Sequence, residues 1–204
     1  MKLLKLLLLL SAIVLVACGG EEGEEGEEGG EVSAVEKQGW HFQGRNCLGC
    51  HNVDFKPERH LLLAGTVFKT ATADNPDDMA QVCGGELYIQ LLDSSYNIVY
   101  DSRNYRDPNS KGYRGKGNVF ILKRLLSDIT PYGGYYVRVI TKDGTTLAQS
   151  LTQHLFNGIS SYDPRGNPAD ANNRFSCNTC HTYPNPQGGA PGYLYPQLNT
   201  NLCK

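Results

Sequence analysis

The chain has 204 residues, 40% of them hydrophobic, and a formal net charge of -2. That length suits one domain with tails and is enough to bury a core. The composition excludes a collagen, a long coiled coil, a polytopic membrane protein and a wholly disordered chain. The near-neutral balance gives no reason to expect a nucleic-acid partner, whereas seven cysteines, an odd number, call for more than one use of the thiol.

Residues 1–18 read MKLLKLLLLLSAIVLVAC, with Lys2 and Lys5 ahead of an apolar run from Leu6 to Val16. The run is too short to span a bilayer and has the form of a signal-peptide core. Its end, Leu15-Val16-Ala17-Cys18, resembles a bacterial lipobox, which implies cleavage after Ala17 and a lipidated Cys18 holding the mature chain on a membrane surface. Seven of the eleven residues from Glu21 to Glu31 are Glu. Such a stretch repels itself and stays solvated, so residues 18–31 are expected to act as a tether. The remainder carries 17 basic and 14 acidic side chains, a net +3.

Cys47-Leu48-Gly49-Cys50-His51 and Cys177-Asn178-Thr179-Cys180-His181 are both C-x-x-C-H, the attachment signature of c-type haem. Two thiols three positions apart can bond the two vinyl groups on one edge of a macrocycle, and the adjacent histidine then falls beneath the iron as proximal ligand. A redox dithiol does not require the histidine, and a zinc ribbon places its cysteine pairs roughly 15–20 residues apart, against 126 residues between Cys50 and Cys177. The expected cofactors are therefore two covalently bound haem c groups, with His51 and His181 as iron ligands.

Three histidines remain for the distal positions: His41, His60 and His154. That pool allows both irons to be bis-histidine, with one histidine to spare. Closed coordination of that kind suits electron transfer, whereas an open iron suits peroxide, nitrite or sensor chemistry. His41 and His154 are the first choices and His60 the third. Met79, in Asp77-Asp78-Met79, is the one methionine that could compete. The segment His41-Phe42-Gln43-Gly44-Arg45-Asn46-Cys47 resembles the H-x-x-G-x-x-C-x-x-C-H segment of secreted multihaem cytochromes of metal-reducing bacteria. That resemblance implies that His41 ligates a haem.

Between the motifs the pattern changes to short strands: 63–69, 87–92, 98–100, 118–122, 135–140 and 145–147, with turns at 93–97 and at Asp143-Gly144. The alternation of Val137 and Val139 with Arg138 marks a half-buried strand. Residues 61–150 are thus expected to form an antiparallel β-sandwich. The order of these strand segments resembles carboxypeptidase-regulatory-like, transthyretin-like sandwiches, which implies a noncatalytic scaffold or an adhesive surface. No Ser-His-Asp grouping or carboxylate pair stands out, so no catalytic residue is assigned. The fold class is mainly β, a central sandwich flanked by short loop-rich or helical haem-binding segments, 32–60 and 151–204. The two leftover cysteines, Cys83 and Cys203, can form a disulfide in an exported protein.

These features point to a membrane-anchored dihaem c-type cytochrome that carries electrons outside the cytoplasmic membrane. Its partners would be other cytochromes or membrane redox complexes. It would sit at the outer membrane, the cell surface or in the periplasm. Haem segments at either end of a rigid sandwich would also allow head-to-tail contacts between copies and an extracellular filament. The rival readings are a dihaem peroxidase or reductase and a haem-based redox sensor.

Overall fold

Leu61-Leu-Leu-Ala-Gly-Thr66 forms strand β1, and all six residues are buried. A strand covered on both faces reads as a continuous apolar run rather than an alternating one. On one edge it pairs antiparallel with β4 (Asn118–Leu122), Gly65 opposite Val119. On the other edge Ala64 bridges Ser176 in parallel, with the Ala64 N–H donating to the Phe175 carbonyl at 3.0 Å. The strand expected at 63–69 thus begins two residues earlier and ends at Thr66. Val67 and Phe68 make separate bridges to Leu194 and Val82. The computed structural model describes residues 43–105, 117–125, 132–157 and 175–203. Cys18, the signal and tether segments and His41 lie outside them.

The larger sheet contains β2 (Leu87–Leu92), β3 (Ile98–Asp101), β5 (Tyr132–Thr141) and β6 (Thr146–Gln149) in the order β3-β2-β5-β6, and β7 (His154–Asn157) also pairs with β5. Every described pairing within the two sheets is antiparallel. The Asp93 carboxylate closes the β2–β3 turn by accepting the Ser95 and Asn97 N–H groups at 2.8 and 2.9 Å. Gly144 takes a φ of +93° in the β5–β6 turn, a value that favours glycine. Strand β7 lies beyond the expected sandwich boundary at residue 150 and adds to the same sheet.

The sheets face each other across a shared core. Leu61, Leu63, Val119 and Ile121 come from one side, and Ile89, Leu91, Val139 and Leu147 from the other. Each such side chain stabilises the fold by about 1.5–3 kcal/mol through removal from water. The carboxy-terminal segment runs from the loop after β1 to strand β6. Tyr193 N–H donates to the Ala71 carbonyl, and Gln197 and Leu198 N–H groups both donate to the Leu147 carbonyl. Cys83 and Cys203, 120 positions apart, are joined in a disulfide. On the opposite face of the larger sheet a polar row runs across four strands. Gln90 donates to Asp101 at 2.7 Å, and Arg138 donates to Gln90 at 3.4 Å and to Gln149 at 2.8 Å.

Candidate functional site

The first motif occupies a single helical turn, α1 (Cys47–His51), started by Asn46, whose side chain accepts the Gly49 N–H at 3.0 Å. Leu48 points into the core at 1% exposure. The turn is fastened to β1 by Asn52, whose amide donates to the Leu61 carbonyl and accepts the Leu61 N–H, both at 2.8 Å. His51 Nδ1 lies 3.0 Å from the Arg59 carbonyl. A carbonyl can only accept, so Nδ1 carries the proton and the lone pair of neutral His51 sits on Nε2. His60 has the reverse arrangement: its Nε2 lies 3.0 Å from the Phe55 carbonyl, which places the lone pair of the neutral ring on Nδ1.

The second motif forms the turn α2 (Cys177–Cys180), with His181 immediately after it. His181 Nδ1 lies 3.2 Å from the Gly192 carbonyl, again leaving the lone pair on Nε2. Gly192 has a φ of +133°, and a Cβ there would overlap the Ala71 carbonyl, so only glycine lets the chain pass closely enough. Burial pushes His181 down to about 4, with the neighbouring His154 adding to the effect. Its imidazole is therefore neutral at pH 7, the form a metal requires. The ring centres of His154 and His181 are 6.3 Å apart, with planes inclined by 23°.

Cys177, Cys180, His154 and His181 all line one cavity of about 360 Å³, together with Leu63 and Tyr195. That volume falls in the range of about 300–1,000 Å³ typical of cofactor and small-molecule sites. Two metal–nitrogen bonds of about 2 Å each, plus roughly 1 Å from each nitrogen to its ring centre, span roughly 6 Å. The two-thiol, two-imidazole donor set and its spacing are those a c-type haem would need, and His181 and His154 are the residues here that would hold its iron. Strand β7 positions His154 by pairing it with Tyr135 of β5.

The two motifs, remote in sequence, are side by side. Both turns pack on β1. Ser176 Oγ donates to Asn46 Oδ1 at 2.6 Å, and the Asn178 amide donates to the Arg45 carbonyl at 2.9 Å while accepting the Thr66 N–H at 3.1 Å. Burial pushes the Cys47 thiol up to about 11. Burial, and then the proximity of Cys47, pushes Cys177 up to about 12. The expectation of haem segments at opposite ends of the sandwich is thereby corrected: residues 175–181 return to lie along β1, next to α1. Asn46, Ser176 and Asn178 escaped the reading from sequence. The signal that could have found the first two is that each motif is preceded by a good helix N-cap residue.

Cys47, Cys177 and Cys180 take part in no disulfide, whereas Cys50 is disulfide-bonded. A thioether and a disulfide at Cys50 exclude each other. Met79 sits in a 3-10 turn (Met79–Gln81), is 38% exposed and is not part of the cavity. Among the described residues no group of three or more His, Cys, Asp or Glu side chains could hold a bare metal ion, and no helix is long and apolar enough to cross a membrane. A haem iron makes a smaller demand, because the macrocycle supplies four ligands and the protein one or two. No protein-family model, curated protein or solved structure matches this chain.

Proposed function

We propose that this chain is a dihaem c-type cytochrome that transfers electrons outside the cytoplasmic membrane, held to a membrane by lipid on Cys18. The observation that carries the reading is the shared treatment of the two motif histidines. Each has Nδ1 on a backbone carbonyl, Arg59 for His51 and Gly192 for His181, so that Nε2 holds the lone pair. A second, outer hydrogen bond that fixes tautomer and ring orientation is the usual accompaniment of a metal-bound histidine. Haem iron supplies the one-electron chemistry when bound. The chain's own residues do the rest: Cys47, Cys177 and Cys180 tether, Cys50 joins them as a thiol in place of its disulfide, His51 and His181 ligate, and His154 closes the far side of the second site.

We assign His41 ahead of His60 as the distal ligand of the first site, because His60 has Nε2 on the Phe55 carbonyl and would have to ligate through Nδ1. Two six-coordinate irons suit transfer rather than peroxidase, reductase or sensor chemistry. Electrons would pass to and from other cytochromes, membrane redox complexes or further copies of the chain at the outer membrane or cell surface. A filament would need a contact geometry other than the two-ended one, because both motifs lie together.

The test is expression in a host with c-type haem maturation, followed by pyridine haemochrome analysis and intact mass. Two haems per chain, resistant to reductant and with Cys50 blocked from alkylation, are expected. Fewer than two, or a Cys50 thiol that appears on reduction, would overturn the reading.

A further inference from the structure

Asn178 is one of the two variable residues inside the second C-x-x-C-H, a position that the attachment chemistry leaves unconstrained. It is nonetheless 4% exposed, and a buried amide is costly unless its hydrogen bonds are met. They are met by the other motif and by the strand between the two. Its oxygen accepts the Thr66 N–H at 3.1 Å, and its nitrogen donates to the Arg45 carbonyl at 2.9 Å and, more distantly, to Thr66 Oγ1 at 3.5 Å. Arg45 is two residues before Cys47. Thr66 Oγ1 in turn accepts the Gly44 N–H at 3.2 Å and donates to Asn118 at 3.0 Å, extending the network to the chain entering the first motif and to β4. The Ser176–Asn46 bond makes a second link, between the residues that immediately precede Cys47 and Cys177.

We infer that Asn178 is a positioning residue that locks the two haem-attachment turns into one unit, so that the haems they carry form a coupled pair rather than two independent centres. The inference rests on the dihaem reading above. Its physical content is that the first cysteine of each turn is placed by a residue bonded to the other turn, so the macrocycle edges start from neighbouring points. Charge on one such centre is felt by the other, because buried charges are screened much less than exposed ones. Coupled chromophores also give a bisignate Soret circular dichroism band, which isolated ones do not.

The experiment uses full-length holoprotein, wild type, Asn178→Asp and Ser176→Ala. Asn178→Asp keeps the acceptor for Thr66 but turns a carboxylate oxygen on the Arg45 carbonyl. With two haems per chain confirmed by pyridine haemochrome, wild type should show a Soret couplet and two separated one-electron steps. In Asn178→Asp the couplet, normalised per haem, should fall at least twofold while the low-spin absorption spectrum is retained. If Asn178→Asp fails to mature, Ser176→Ala carries the test, with a smaller loss of couplet expected. A wild type with two haems and no couplet, or a couplet unchanged in every variant that matures, would overturn the coupling but leave the dihaem reading standing. Fewer than two haems in wild type would remove both.

Discussion

His154 on β7 and His181 at the end of α2 face one cavity with their ring centres 6.3 Å apart, a span that one iron with two axial imidazoles would fill. Replacing His154 by Ala should therefore open one iron and leave the other closed. The oxidised variant is expected to show one high-spin haem by low-temperature EPR, and its reduced form should bind CO at one haem per chain. His60→Ala, whose ring is committed to the Phe55 carbonyl, should leave both irons low-spin. An entirely low-spin, CO-inert His154→Ala protein would refute the pairing.

Gly65 on β1 leaves room for the second motif. A Cβ at this position would lie 2.7 Å from Cys177 Cβ, 3.2 Å from its sulfur and 3.1 Å from Leu194 Cδ1. Gly65→Ala must therefore push α2 off the strand, at a cost of about 1–3 kcal/mol for an overpacked core site. Thermal melting should fall, and haem content should drop at the second motif before the first, as peptide mass mapping of the haem-bearing fragments would show. A variant with wild-type melting and two haems would show that the strand and turn are not in contact.

Much of the sandwich was legible because its strands obey local rules. Leu87–Leu92, Ile98–Asp101 and Asn118–Leu122 are apolar or alternating runs, each with a turn-forming Asp, Asn, Ser or Gly on at least one side, and each formed within a residue of its expected span. Strand β7, His154-Leu-Phe-Asn157, was not legible. Four residues give too short a period to register, and its pairing with Tyr132–Tyr135 is set by the sheet. Of the site, the cysteines and histidines of the motifs announce themselves by spacing. Their juxtaposition does not, since the bonds that create it, Ser176 to Asn46 and Asn178 to Arg45, join ordinary polar residues 130 and 133 positions apart.

The Cys83–Cys203 bridge closes a loop of 120 positions and fastens the segment that carries Gly192, the partner of His181. Its loss in the Cys83→Ala/Cys203→Ala protein should lower stability by about 2–5 kcal/mol. The urea melt of the double variant should coincide with that of reduced wild type, both shifted below oxidised wild type. Intact mass after reduction and alkylation should gain two labels in wild type and none in the variant from these positions. Unchanged melts would mean that the tail is held without the bridge.

Asp101 offers a pH signature. Burial works against its ionisation, but hydrogen bonds from Arg103 and Gln90 outweigh this and hold its carboxyl below the usual range. A depressed folded pKa means stability that is present above the ordinary aspartate value of about 3.9 and is lost as pH falls through the folded value. Asp101→Asn should cost roughly 1.5–3 kcal/mol at pH 7, the worth of hydrogen bonds to a charged group. The gap between variant and wild type should narrow progressively below about pH 4. A gap that stays constant on acidification would exclude the ionised carboxylate as its source.

Strand β1 is complete only when residues from the far end of the chain reach it: Thr66 waits for Asn178, 112 positions later, and Ala64 for Phe175. Contacts of such long range form slowly, because a large loop must close first. In a chain exported amino terminus first, as proposed above, α1 would therefore pack on an unfinished, open β1 well before the segment carrying α2 emerged. On the dihaem reading, the topology would set a timetable, with the turn α1 accessible until α2 arrived beside it on β1.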